Sequence, residues 1–327
     1  MRDKLCILGH YYQRDEIIRH ADFVGDSLEL ARKAAASRNA EKIVFCGVHF
    51  MAESARILAG ARQAVYMPAP GAGCPMADMA PLREAVRAWD DLSSFSGEWI
   101  PIAYVNSSAA IKAFCGEQGG ATCTSSNAAA VFKWALRQGK KILFLPDEHL
   151  GANTAFDLGL GDEAVAVYNP SLPSGGLDAG RAARASVLVW KGYCHVHMFS
   201  ALDIRNAREK YPGSMIIVHP ETPKEALRLA DAHGSTSQIA RYVEAAPSGS
   251  TVIVGTEINL VRRLAALHGG RVAVHPLRAS ACRNMAMTNE DGLLALLENW
   301  PRENEINVAP ELKAGAALAL QRMLEIS

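Results

Sequence analysis

An internal repeat constrains the fold of this chain more than any other feature. Short apolar runs bounded by turn residues alternate with longer helical patterns, which is typical of βαβ units with parallel sheets. The same plan occurs three times within 327 residues. The strands predicted from it are Cys6–Leu8, Ile43–Cys46 and Val65–Met67 in the first copy, Ile102–Val105, Ile142–Leu145 and Val187–Trp190 in the middle copy, and Met215–Val218, Val252–Val254 and Val272–Val274 in the third copy.

Polar residues recur in one register in the first and third copies. His10 and His219 each end the first strand of their copy, and a hydroxyl residue follows 17 positions later in both, at Ser27 and Thr236. Similar strand spacing alone arises by chance in α/β chains. Strand ends, helix starts and cysteines that match in one register make triplication the better explanation.

A cysteine closes each copy of the repeat. Cys74 comes 27 residues after Gly47, and Cys282 comes 27 residues after Gly255, where each glycine ends the second predicted strand. Cys194 takes the same place in the middle copy.

The middle copy follows the plan with two insertions. Tyr104 and Asn106 take the strand-end place, and Ser125 takes the helix-start place. The first insertion is CGEQGG at 115–120, and the second is a Gly/Pro/Ser-rich stretch around 168–180. We expect the second insertion to form a surface loop.

The repeat predicts both the fold class and the domain organisation. We expect an α/β protein of three similar αβα domains, each with three layers and a short parallel sheet, arranged with pseudo-threefold symmetry. The predicted domains are 1–92, 93–206 and 207–327, with a C-terminal helix in the last. At roughly 100–150 residues per domain, a chain of this length is expected to form two or three domains, which agrees with this prediction.

Composition excludes several classes of partner and location. The 34 basic residues equal the 34 acidic residues, so no net field favours nucleic acid or an anionic membrane. We expect no signal peptide and no membrane span. Seven cysteines without a Cys-x-x-Cys pair favour separate thiols in a reducing cytosol over a disulfide framework, which predicts a cytoplasmic protein.

Three equivalent cysteines predict a shared metal site. If the copies pack around a pseudo-threefold axis, Cys74, Cys194 and Cys282 supply three thiolates to one centre. Three thiolates leave one iron of a [4Fe–4S] cluster without a protein ligand, and such an iron can act as a Lewis acid on a substrate. Zinc is the alternative, with His197 as a fourth ligand. Cys6 and Cys46 lie within predicted strands and fit a structural role.

Polar side chains and helix starts surround the predicted site. Ligands of open parallel sheets bind beyond the carboxyl ends of the strands. The helix starts near Ser27, Ser125 and Thr236 offer N–H groups and hydroxyls for phosphate or carboxylate. The alternative is that these residues only cap their helices. The strand-end residues are His10, Tyr12, Tyr104, Asn106, His219 and Glu221.

Other motifs carry less weight. His49 and Glu53 stand at i,i+4, where a pair on a helix face is favoured over a metal site. His195 is expected to be a surface neighbour of Cys194. No dinucleotide fingerprint, Walker A loop or Ser–His–Asp signature is present.

The chain resembles the quinolinate synthase (NadA) family over essentially its whole length. No single motif is decisive, but twelve in the family's order are specific. They are GHYYQ, GDSLELA, VFCGVHFMAE, AGCPMADM, YVNSSAAIKA, CTSSNA, PDEHLG, GYCHVH, HPE, GST, VGTE and CRNM.

The resemblance implies a function and a cofactor. Members of the family are transferases of NAD biosynthesis that condense iminoaspartate with dihydroxyacetone phosphate to quinolinate, phosphate and water. They use a [4Fe–4S] cluster, whose ligands here would be Cys74, Cys194 and Cys282. A functional link to the enzyme that supplies iminoaspartate is also implied, with no nucleic acid or membrane partner.

The resemblance also implies residue roles. The substrate contacts would be His10, Ser27, Tyr104, Asn106, Ser125, His219, Glu221 and Thr236. Because the reaction moves protons beside carbonyl or imine groups, we assign Glu221 as the general base. His219 or His10 would orient the substrate or transfer protons, and Tyr12 and Tyr104 would donate hydroxyl protons.

This chain departs from the family pattern in three places. Thr222 stands where many relatives have cysteine after His-Pro-Glu, and Cys282 lacks the Cys-x-x-Cys-x-x-Cys run of some relatives. A redox switch by a nearby disulfide is therefore not supported. The insertion near 161–184 is longer than in the family.

Three alternative functions stay open at this stage. The first is a different cluster-dependent hydro-lyase, and the second is a non-catalytic cluster protein that senses iron or oxygen. The neutral charge and the missing DNA-binding motif argue against the sensor. The third is a zinc-stabilised metabolite-binding protein.

Overall fold

The computed structural model describes residues 4–326, which form three parallel β-sheets with helices between the strands. By contacts the chain divides into two compact units. Unit 1 comprises the chain up to Ala55, Ala59–Gly73 and His195–Ile306, and unit 2 comprises Arg56–Leu58, Cys74–Cys194 and the chain from Asn307. Unit 1 holds the first and third sheets, and unit 2 holds the second.

The first sheet has four strands in the order β2-β1-β3-β4. Its central strands are apolar and buried, as expected for a parallel sheet covered on both faces. The strands are β1 (Leu5–His10), β2 (Phe23–Gly25), β3 (Lys42–Cys46) and β4 (Ala64–Tyr66), and the helices between them are α1 (Asp15–Ile18), α2 (Ser27–Ala36) and α3 (His49–Leu58).

The second sheet has five strands in the order β6-β5-β7-β9-β8. The strands are β5 (Trp99–Tyr104), β6 (Ala121–Cys123), β7 (Lys141–Leu145), β8 (Val165–Tyr168) and β9 (Val187–Trp190). The helices are α4 (Leu82–Leu92), α5 (Ala109–Glu117), α6 (Ala128–Leu136), α7 (Glu148–Asp157) and α8 (Ala179–Arg184).

The third sheet repeats the topology of the first, in the order β11-β10-β12-β13. Its strands are β10 (Met215–Val218), β11 (Ala232–His233), β12 (Thr251–Gly255) and β13 (Ala273–Pro276). The helices that follow α8 are α9 (Ala201–Lys210), α10 (Lys224–Leu227), α11 (Thr236–Ala245), α12 (Ile258–His268), α13 (Glu290–Asn299) and α14 (Pro310–Glu325).

The fold confirms the predicted class and the predicted strands, with ends that differ by a few residues. Sequence reasoning missed the four edge strands β2, β6, β8 and β11. Three of them, β2, β6 and β11, have only two or three extended residues, which carry too little periodicity to be recognised. The domain boundaries near residues 92 and 206 stay predictions. Along residues 4–326, none of the helices has the length and apolarity needed to cross a membrane.

Both insertions of the middle copy are largely ordered secondary structure. The first lengthens α5 to nine residues, where α1 and α10 at the equivalent places have four. The second is not only a surface loop, because Tyr168 at its start belongs to the edge strand β8. Tyr168 of β8 is fully buried, stacks on Trp190 and donates its hydroxyl to Asp91.

Candidate active site

Within unit 1, the first and third copies place polar residues at the carboxyl ends of their central strands. His10 ends β1, His219 directly follows β10, and Thr256 directly follows β12. All three side chains are buried. This edge is where α/β sheets bind ligands. Both copies therefore place the expected polar residues at the edge where a ligand is expected.

Two buried histidines share one local arrangement. His10 Nδ1 accepts a hydrogen bond from the Tyr12 N–H (3.1 Å), and His219 Nδ1 accepts one from the Glu221 N–H (3.3 Å). Burial lowers the pKa of His10 to about 4 and that of His219 to about 3. Both imidazoles are therefore neutral near pH 7 and carry their proton on Nε2, as hydrogen-bond donors.

Tyr12 lies at the centre of a buried hydroxyl cluster. Its phenol oxygen lies 2.9 Å from Thr256 Oγ1 and 3.2 Å from His197 Nε2, and it accepts a hydrogen bond from Thr236 Oγ1 (3.1 Å). His197 Nε2 is also 3.2 Å from Thr256 Oγ1. The cluster fixes the position of the phenol oxygen.

Glu221 and His197 form a buried pair beside this cluster. Glu221 Oε2 lies 2.8 Å from His197 Nδ1, and both side chains are buried. The ring of His197 stacks on that of His219 with centroids 4.0 Å apart. A carboxylate only accepts, so Nδ1 donates to Glu221, and Nε2 faces the hydroxyls of Tyr12 and Thr256. Glu221, His197 and Tyr12 thus form a carboxylate–imidazole–phenol chain.

At the helix starts of unit 1, the residues that cap the helix are different from the residues predicted to bind a ligand. Asp26 caps α2 and Ser235 caps α11, each in a capping box. Ser27 and Thr236 are instead the first helical residues, so neither hydroxyl is needed as the N-cap. Ser235 therefore fits the capping alternative, while Thr236 contacts Tyr12 directly.

Burial and backbone N–H groups act on the Cys282 thiol in opposite directions. Burial, the largest effect, raises the pKa of the thiol, and hydrogen bonds from the backbone N–H groups of Met285 and Asn284 lower it, so that the pKa is raised overall. The buried carboxyl of Glu257, whose pKa burial raises to about 7, lies 3.4 Å from the Cys282 nitrogen.

Each of the three copies holds its cysteine segment by one recurring backbone hydrogen bond. The carbonyl two residues before the cysteine accepts from an N–H at the start of the helix that follows the second central strand. The pairs are His49 to Ala72, Glu148 to Gly192 and Ile258 to Ser280, at 2.8, 2.9 and 2.8 Å. The register of the three cysteines is thus a property of the backbone as well as of the sequence.

Exposure separates the seven cysteines into two groups. Cys74, Cys194 and Cys282 are partly exposed, while the other four are buried. Cys6 and Cys46 lie in β1 and β3, as expected, and burial raises the pKa of the Cys46 thiol to about 12. Partly exposed thiols are the ones that a metal can reach.

The predicted residues of the middle copy lie in unit 2. Tyr104 ends β5 and is buried, and Ser125 lies in the turn that precedes α6. Asn106 follows β5, and its buried Oδ1 atom has no hydrogen-bond partner among residues 4–326. A buried amide oxygen without a partner is typical of a site completed by a ligand.

Two weaker candidates take ordinary positions. His49 and Glu53 lie on one face of α3 with Nδ1 and Oε2 3.8 Å apart, as a helix-face pair. His195 is exposed.

Sequence reasoning missed two residues of the site. Thr256 directly follows β12, so the strand-end rule was sufficient to find it. His197 was considered only as a zinc ligand. It follows no strand, and its contacts with Tyr12 and Glu221 join residues 185 and 24 positions apart.

Fold and site together define a class of protein. A buried carboxylate–imidazole–phenol chain at the carboxyl ends of parallel strands is typical of an α/β enzyme that transfers protons.

Comparison with known proteins gives the family. The profile of the quinolinate synthetase A protein family (NadA) matches residues 1–325. Proteins named quinolinate synthase from Corynebacterium glutamicum and Streptomyces coelicolor are each 47% identical across 99% of this chain, covering 84% and 85% of their own lengths. One from Bacillus anthracis is 46% identical across 99% of this chain and 90% of its own. The chain belongs to the quinolinate synthetase A family, and it is an enzyme of NAD biosynthesis.

Proposed function

We propose that this enzyme condenses iminoaspartate with dihydroxyacetone phosphate to quinolinate, phosphate and water. The observation that carries the proposal is the buried chain from Glu221 through His197 to Tyr12. A condensation followed by ring closure and dehydrations needs repeated proton transfer at carbons beside carbonyl or imine groups. The family and the side chains of this site also indicate metal binding.

The carboxylate orients the proton-transfer groups. Glu221 holds the Nδ1 proton of His197, which leaves Nε2 as an acceptor toward Tyr12 and Thr256. Tyr12 can then give its proton to His197 and take one back, while Thr236 donates to the phenol oxygen. Burial of all these groups excludes competing water.

Substrate binding is assigned to the neutral donors and the helix starts. His10 and His219 would donate from Nε2 to carbonyl or carboxylate oxygens. Ser27, Thr236 and Ser125 would bind carboxylate or phosphate oxygens, supported in unit 1 by the N-termini of α2 and α11. Tyr104 and Asn106 would complete the contacts, and the buried Oδ1 of Asn106 would accept from a substrate N–H or O–H group.

A [4Fe–4S] cluster would be held by Cys74, Cys194 and Cys282. Their partial exposure and their equivalent backbone settings support this assignment. When bound, such a cluster supplies a Lewis-acidic iron for the departure of a hydroxyl group. A cytoplasmic location stays a prediction from cysteine usage.

Anaerobically purified protein, assayed with iminoaspartate and dihydroxyacetone phosphate, tests the activity. We expect quinolinate, and release of phosphate without quinolinate would contradict the proposal. A different cluster-dependent hydro-lyase would leave both substrates unchanged.

Glu221→Gln tests the assigned role of the carboxylate. The amide of glutamine is close in size to the carboxylate but cannot accept a proton. We therefore expect kcat to fall ~10²–10⁴-fold, the range of general acid–base catalysis. The iron content should equal that of the wild type. Normal turnover with a normal cluster would exclude Glu221 as the general base.

A further inference from the structure

One face of α12 holds the loop that carries Tyr12. Arg263 donates from Nη1 to the Tyr11 carbonyl (2.9 Å) and from Nη2 to the Gln13 carbonyl (2.5 Å). Asn259, one turn earlier on the helix, donates from Nδ2 to the Tyr12 carbonyl (3.2 Å). Three consecutive carbonyl groups are therefore bound by two side chains of another copy of the repeat.

The geometry favours a rigid attachment. The side chain of Arg263 is only 12% exposed, and its planar guanidinium presents donors in a fixed fork. Its Nε atom also lies 2.6 Å from Asp15 Oδ1, just beyond the loop. Asn259 is itself oriented by Glu257, whose Oε1 lies 3.1 Å from Asn259 Nδ2. The attachment therefore begins at the buried end of α12.

The other two copies of the repeat carry different side chains at these two positions. With His49, Glu148 and Ile258 in register, the equivalent residues are Phe50 and Ser54 in α3, and His149 and Asn153 in α7. An arginine stands at the second position only in the third copy, where it binds the Tyr12 loop.

We propose that Asn259 and Arg263 are positioning residues that fix the Tyr12 backbone for proton transfer. The inference rests on the proposed function, in which Tyr12 exchanges a proton with His197. Hydrogen bonds fix the phenol oxygen from one side, and the carbonyl contacts fix the backbone from the other. Without the contacts to α12, the phenol loses its alignment with His197 Nε2.

The test compares Arg263→Ala with Arg262→Ala. Arg262 is the neighbouring arginine of α12 and is exposed, so its variant controls for lost charge and helix propensity. We expect Arg263→Ala to lower kcat ~10²-fold, as expected for a small misplacement of a reacting group, with a much smaller change in KM. Arg262→Ala should retain wild-type kcat. Added guanidinium ion should restore part of the activity of Arg263→Ala only.

Hydrogen exchange of the loop gives a readout independent of turnover. The Tyr12 and Gln13 amides donate to His10 Nδ1 and to the His10 carbonyl, so they are protected while the loop stays in place. In Arg263→Ala we expect both amides to exchange ~10-fold faster, while core amides of β1 and β10 stay unchanged.

Wild-type kcat in Arg263→Ala, or unchanged exchange of these two amides, would overturn the inference. If Arg263→Ala loses its fold or its iron, Asn259→Ala and Arg263→Lys decide by the same measurements. Absence of quinolinate from the wild type would contradict the proposed function alone, because loop exchange does not depend on the reaction.

Discussion

His10 and His219 illustrate how burial determines the chemistry of a single residue. Both rings accept a backbone N–H on Nδ1, and desolvation, the largest cause, lowers both pKa values. Neutral rings with a proton on Nε2 are suited to polarise substrate oxygens, and they cannot take up another proton near pH 7. In the proposed mechanism, His10 and His219 would therefore donate hydrogen bonds, while His197 and Glu221 would accept protons.

The depressed pKa of His10 predicts a stability that depends on pH. Between pH about 4 and 6.5 the unfolded chain binds more protons at His10 than the folded chain, so the free energy of unfolding falls on acidification in this window. In His10→Asn the amide oxygen can accept the Tyr12 N–H but does not titrate. We expect a shallower decline, by up to about 1.4 kcal/mol per pH unit.

Urea unfolding of the two proteins at several pH values measures this difference. Burial raises the pKa of Glu257 to about 7, so its carboxyl stabilises the folded state at low pH and this contribution is lost above about pH 7. Because Glu257 is present in both proteins, its contribution cancels in the comparison. Equal pH dependence in the two proteins would show that His10 is not held neutral by folding.

At the scale of elements, the helix pair α5 and α14 explains the first insertion of the middle copy. α14 packs on α5 and on β6 within unit 2, and Asn127 before α6 donates to the Met323 carbonyl of α14. The longer α5 thus provides the surface on which the last helix of the chain docks. Gly116 and Gly315 allow the two backbones to approach closely.

Gly116→Ala tests this packing. A Cβ atom at Gly116 would lie 1.9 Å from the Gly315 carbonyl oxygen, so the helices must separate. We expect a loss of about 1–3 kcal/mol in the free energy of unfolding, the range for overpacking. Gly161→Ala is the control, because its Cβ would have no atom within 4 Å and its φ of −69° suits alanine. Equal stability of the two variants would exclude tight contact between α5 and α14.

Most elements could be predicted from the sequence because each central strand is a continuous apolar run between turn residues. The edge strand β8 could not, since Val165–Tyr168 precedes a stretch rich in Gly, Pro and Ser and resembles the beginning of a loop. What makes it a strand is pairing with β9, together with the stacking of Tyr168 on Trp190. Both are tertiary interactions.

At the scale of the whole molecule, the three-cysteine hypothesis predicts metal content. We expect the wild type, purified without oxygen, to contain ~4 iron and ~4 sulfide per chain. Cys74→Ser, Cys194→Ser and Cys282→Ser should each lose most of the iron, because each removes one of three ligands. Cys6→Ser is the control, since Cys6 lies in β1 beside Ser37.

Iron and sulfide analysis of the five proteins checks the prediction. Zinc without iron in the wild type would contradict the cluster. Full iron in any of the three ligand variants would remove that cysteine from the ligand set.

The sequence by itself determined the repeat, the parallel sheets and the strand-end residues, because these depend on local periodicity and on the edge at which parallel strands end. It also separated Cys74, Cys194 and Cys282 from the other cysteines by their register, and their partial exposure agrees. Only the tertiary structure decided that His197 links Glu221 to Tyr12, and that Asn259 and Arg263 bind the Tyr12 loop. These contacts join residues that are far apart in sequence, and hydrogen bonds between such residues leave no periodic pattern.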